Sequence, residues 1–168
     1  NLHRNHQEAG GDSIWAASVF WGIPWLEAML GCPIWADHES GSIHSEKPQD
    51  FKGPDDIPQF DPNNEWALLA KDFLQTFARA SDGRYPLATT RMRGISDMLS
   101  ALYGGENLVF AIMERPQEIR QSAKKLAELY VEFAKFQLIY IPEFYGGIGS
   151  FYYNAWAPKG TVWHQEDA

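Results

Sequence analysis

The chain has 168 residues, with 14 Lys+Arg against 22 Asp+Glu, a formal net charge of −8 and one cysteine. The acidic balance argues against a nucleic-acid module, which carries a basic face, and Cys32 alone forms no internal disulfide. No run of about 18 apolar residues occurs, so a membrane span is not expected. The opening residues Asn1 to Glu8 are polar and unlike a secretory leader, so a cytoplasmic protein is expected. The length suits one domain. Yet the sequence starts on Asn1 without Met and stops at Gln165-Glu166-Asp167-Ala168, and it reads as a piece of something longer.

In chain order, Ala16 to Leu30 is a buried segment. Its first half suits a strand and its second half a helix, with Pro24 in the first turn and Gly31 just past the end. Cys32 to Ala36 suits a short strand, weakened by Pro33. Residues 39–62 form a long connection with four prolines, of the kind that is functional or a flap. Asn63 or Asn64 caps a helix to about Arg79, with Trp66, Leu69, Ala70, Phe73, Leu74 and Phe77 on one face. After the Asp82-Gly83 turn, Tyr85 to Thr90 fits a buried strand. Ser96 can cap a short helix that ends at Gly104-Gly105. Pro116 opens the strongest helix, which runs to about Leu138 with Ile119, Leu126, Tyr130 and Phe133 at helical spacing. Glycines and aromatics fill 144–163. Helix-length segments alternating with short apolar runs favour an α/β fold.

The junction Arg91-Met92-Arg93-Gly94 follows a predicted strand and precedes a capped helix. Ligand groups gather at strand C-termini in parallel α/β folds, and two guanidiniums there can hold a carboxylate or phosphate. Structural pairing with acids such as Asp97 is the competing reading. His164, with Glu166 and Asp167 beside it, can act as an acid–base group or stay a polar loop residue. His38 and His44 have no metal-site spacing, and no HExxH or CxxC is present, so no metal is expected within this segment. The aromatics around Trp156 either floor a cavity or serve as core or as the face of a homodimer. No P-loop, dinucleotide or serine-hydrolase motif occurs.

The stretch Tyr85-Pro86-Leu87-Ala88-Thr89-Thr90-Arg91-Met92-Arg93-Gly94-Ile95-Ser96-Asp97-Met98-Leu99, then Leu102-Tyr103-Gly104-Gly105-Glu106-Asn107-Leu108, then Arg115-Pro116-Gln117-Glu118, resembles the uroporphyrinogen decarboxylase superfamily. The tail from Trp156-Ala157-Pro158 to Gln165-Glu166-Asp167 resembles its uncharacterised decarboxylase-like members. The order of the motifs carries the resemblance, which spans about residues 10–168. It implies an α/β fold, a partial (β/α)8 TIM barrel, because the full barrel needs about 250 residues.

Family chemistry divides between cofactor-free removal of acetate carboxyls from a tetrapyrrole and methyl transfer between a corrinoid protein and a thiol. The second uses zinc held by His and Cys late in the barrel. Here Phe20-Trp21-Gly22-Ile23 stands where the decarboxylases carry an acid, and Gly22 offers no carboxylate. The decarboxylases' Arg-Gln-Ala-Gly-Arg segment is also missing from this chain. The resemblance therefore favours methyl transfer, or an uncharacterised related reaction, over uroporphyrinogen decarboxylation; a non-catalytic ligand-binding barrel is a third expectation. A small-molecule substrate and a corrinoid protein are the implied partners; the resemblance implies no cofactor within this segment and leaves zinc and a corrinoid to the full-length protein. Arg91 and Arg93 are expected to orient an anionic substrate, with Trp156 shaping the wall. His164 and Asp167 are expected to supply acid–base contacts.

Overall fold

The structure is a computed structural model and describes residues 2–10, 14–19, 22–150 and 155–161. Its helices are α1 (Leu2–Ala9), α2 (Trp25–Met29), α3 (Glu65–Ser81), α4 (Ile95–Tyr103), α5 (Gly105–Glu114) and α6 (Pro116–Leu138). Its strands are β1 (Ile34–Ala36), β2 (Ile43–Ser45), β3 (Gly147–Ser150) and β4 (Ala155–Pro158). The chain divides into two compact units, the first made of 1–21, 70–90 and 137–168, the second of 22–69 and 91–136. No helix among the described residues is long and apolar enough to cross a membrane.

In the first unit, β3 and β4 pair antiparallel, with Gly147 opposite Pro158 and Ser150 opposite Ala155. Two parallel bridges join Ala17 to Leu87 and Ala88 to Gly149, each a single residue pair. Ala88 N–H donates to Ala17 O at 2.8 Å and Gly149 N–H to Leu87 O at 2.7 Å. Gly149 is where side chains must give way. A Cβ there would collide with Ala16 Cβ and sit 3.1 Å from Ala88 N, so only glycine permits the approach. Ala16, Ala17, Val19, Leu74, Leu87 and Ala88 are buried in this unit. Buried Gln137, on the last turn of α6, accepts the Thr90 amide at 2.7 Å. That bond satisfies a backbone donor that no ladder reaches.

The expected α/β fold with a partial (β/α)8 barrel is overturned. Among the described residues the sheets are two antiparallel pairs of two strands, and the parallel contacts do not extend into ladders. The predicted strand at 85–90 makes bridges only at Leu87 and Ala88. Pro86 has no amide proton to give a ladder, and Gly147 and Gly149 bring no side chains to pack on a sheet. Short apolar runs look the same in sequence whether they become strands or buried coil.

The second unit is helical apart from the exposed hairpin β1–β2, where Ile34 faces Ser45 and Ala36 faces Ile43. Its core gathers Trp25, Leu26, Met98, Leu102, Leu126 and Phe133, each nearly or fully buried. The edge of Trp25 meets Trp66 at 6.3 Å, and Phe60 packs on Phe133 and Phe136. Such aromatic pairs add about 0.5–1.5 kcal/mol each beyond burial. The long connection is pinned in part: Lys125 Nζ donates to Pro54 O at 2.7 Å. It also contains β2 and a 3-10 turn at Pro54–Asp56.

Helix α6 runs from Pro116 to Leu138 as its apolar spacing predicts. Helix α3 starts at Glu65, with Asn64 Oδ1 accepting the Trp66 amide at 2.9 Å. Helix α2 closes before Gly31, whose φ of +82° is the left-handed conformation that glycine adopts freely. The glycine pair at 104–105 does more than end α4. Gly104, at φ +82°, turns the chain straight into α5.

Candidate functional site

The site is built on α2 in the second unit. All five residues of this short helix are buried, and four of them are apolar. The fifth is Glu27, with no exposed surface. A helix buried on all its faces carries this acid into the interior.

Its counter-charge comes from the segment ahead of α4. Asp97, in the first turn of α4, accepts the Gly94 amide through Oδ2 at 3.2 Å. This holds the chain entering the helix, and Arg93 lies one residue earlier. Arg93 Nη1 stands 3.2 Å from Glu27 Oε1. The Arg93 side chain keeps 29% of its surface exposed, so it faces both the buried acid and solvent. The contact is an ion pair without aligned hydrogen-bond geometry. Neither Glu27 carboxyl oxygen has a hydrogen-bond partner among the described residues.

Burial raises the Glu27 pKa above the usual carboxylate range, and the nearby Asp97 charge pushes the same way. The Glu27 backbone amide and Arg93 oppose the rise without cancelling it. A carboxyl so placed holds its proton more readily than an exposed one. Cys32 follows α2 and donates its amide to Glu27 O at 3.0 Å. Burial, and then the Glu27 charge, push the Cys32 thiol up to about 12. It is therefore a protonated, inert thiol at neutral pH.

No known protein family, characterised protein or solved structure matches this chain.

Arg93 is the predicted site residue that the structure places against a chemical partner of note. That partner is Glu27 and not Asp97, which serves the α4 terminus instead. Arg91 lies half-buried in the same segment. Trp156 belongs to the first unit, on β4, where its indole Nε1 donates to Phe144 O at 2.7 Å and ties the hairpin to its own approach segment. His164 and Asp167 lie outside the described residues. No group of three or more His, Cys, Asp or Glu side chains that could hold a metal occurs among the described residues. Glu27 is the residue that sequence reasoning missed. Its signal is that it is the lone acid in the apolar run Trp25 to Leu30.

A carboxyl of raised pKa beside a guanidinium can exist as an ion pair or as a protonated acid. While Glu27 carries its proton, the Arg93 charge is left to an incoming anion. Glu27 can then give a proton to a reacting atom or take one from it.

Proposed function

We propose that the chain is an acid–base enzyme, or the part of one that carries the proton-transfer pair, acting on a small carboxylate-bearing substrate. Arg93 contacts a substrate carboxylate, and Glu27 is the proton carrier. The observation that carries this reading is a fully buried acid with raised pKa and unsatisfied oxygens, beside an arginine that still reaches solvent. Perturbed carboxyls of this kind concentrate at functional sites.

Among the reactions of the family the sequence resembles, carboxyl removal fits this pair better than methyl transfer between a corrinoid and a thiol. Loss of CO2 leaves an electron pair on carbon, which needs a proton, and Glu27 in its protonated form supplies one. Gly22 offers no acid, and Glu27, five residues on, is a replacement.

The test incubates the chain with uroporphyrinogen under reducing, anaerobic conditions and follows coproporphyrinogen. Product that disappears in Glu27→Gln, with the melting temperature retained, is the expected result. Methylated thiol formed from methylcobalamin, with no decarboxylated product, would put methyl transfer in its place. Saturable binding without turnover in either assay would make this a ligand-binding protein. No binding of the polycarboxylate at all would remove the anionic-substrate reading.

A further inference from the structure

A separate cavity in the second unit lies between the connection that follows β2 and one face of α5. It measures about 310 Å³, enough for a small molecule. Lys47, Lys52 and Arg115 line it together with a single carboxylate, Glu114. In a chain of net charge −8, a cavity with three cations is set apart from its surroundings.

The three cations are not equivalent. Arg115 Nη1 contacts both Glu118 oxygens, at 3.0 and 3.1 Å, so its charge is already met. Among the described residues, the Lys47 and Lys52 ammonium groups have no carboxylate partner. Lys47 passes close to Gly104, at the amino end of α5, where the free amides of the first turn add positive potential.

The floor is organised. Tyr103 is 5% exposed, and its hydroxyl meets Ser122 Oγ at 2.8 Å and Glu118 Oε1 at 3.1 Å. This network fixes Glu118, and through it Arg115. Phe51 stands edge-on to Tyr103 at 5.1 Å. Phe110 lines the cavity and is 61% exposed, a large apolar surface without a cover.

We propose that this cavity binds a small phosphate monoester carried on a flat aromatic ring. Lys47 and Lys52 receive the phosphate dianion, and Phe51 and Phe110 receive the ring. Glu114 at the wall disfavours a ligand with a second anionic group. This site is independent of Glu27 and Arg93.

The experiment is calorimetric titration of the full chain with phenyl phosphate, inorganic phosphate and phenylacetate. Saturable phenyl phosphate binding is expected, about tenfold or more tighter than inorganic phosphate. The Lys47→Ala/Lys52→Ala double variant is expected to weaken it about tenfold or more without moving the melting temperature. Phe110→Ala is expected to weaken phenyl phosphate and leave inorganic phosphate unchanged. No saturable binding of phenyl phosphate overturns the proposal, as does unchanged affinity in the lysine variant. Tighter binding of phenylacetate overturns the phosphate assignment.

Discussion

Replacing Arg93 with Met strips the counter-charge from Glu27 while keeping an apolar stem of similar length. Glu27 has no exposed side-chain surface, whereas Arg93 retains 29%. Breaking a fully buried pair by removing one partner costs about 3–5 kcal/mol. The solvent contact of Arg93 and the unaligned 3.2 Å approach reduce that to about 2 kcal/mol at neutral pH. For a chain of this length the loss corresponds to a fall of about 4–8 °C in melting temperature. Urea denaturation of wild type, Arg93→Met, Glu27→Gln and the double variant isolates the pair. The loss from Arg93→Met should shrink to a few tenths of a kcal/mol when the Glu27→Gln change is already present.

The sign of the pH dependence follows from the raised Glu27 pKa. The native chain keeps this proton to higher pH than the unfolded chain, whose carboxyl titrates near the ordinary 4.5. The stabilisation is full below that value and is lost as pH rises through the raised range. Without Arg93 the carboxyl rises further, so Arg93→Met should cost little at about pH 4 and most at about pH 7. Glu27→Gln should flatten this slope. An equal loss at both pH values, or an undiminished loss in the Glu27→Gln background, would refute the pairing and the protonation argument together.

Two further outcomes test the rest of the fold. Gly149→Ala should cost about 2–3 kcal/mol, because its new methyl collides with Ala16 and crowds the Ala88 backbone. Gly31→Ala, left-handed but with open space around it, should cost only about 1 kcal/mol. Equal losses in urea titrations would show that the close approach at Gly149 is relaxed in solution. Cys32, 4% exposed and with its pKa pushed up to about 12, should resist iodoacetamide in the native chain and react once urea unfolds it. Alkylation of the native chain at the rate of a free thiol would contradict its burial.

Local signals were sufficient where an element is long and its cues agree. For α6, Pro116 at the first turn and regular apolar steps place the helix without reference to any neighbour. For α3, Asn64 caps its own helix by a bond two residues long. The short pieces were not legible in this way. α5 was hidden because Gly104-Gly105 marks a helix end equally well as a turn into another helix. The expected barrel failed because the apolar runs in the first half of 16–30 and at 85–90 signal burial but not pairing length.

The candidate site divides in the same manner. Arg93 stood out in sequence because two arginines beside a capped helix have a readable chemistry. Glu27 did not, because its meaning depends on what surrounds it. The sequence by itself determined where the long helices lie, the single thiol and the acidic charge, since these depend on composition and near neighbours. Only the tertiary structure decided that Glu27 is enclosed, that Arg93 and not a lysine faces it, and that Lys47 and Lys52 share a cavity. Each of these joins residues far apart in the chain, and burial and charge proximity arise only when those segments pack together.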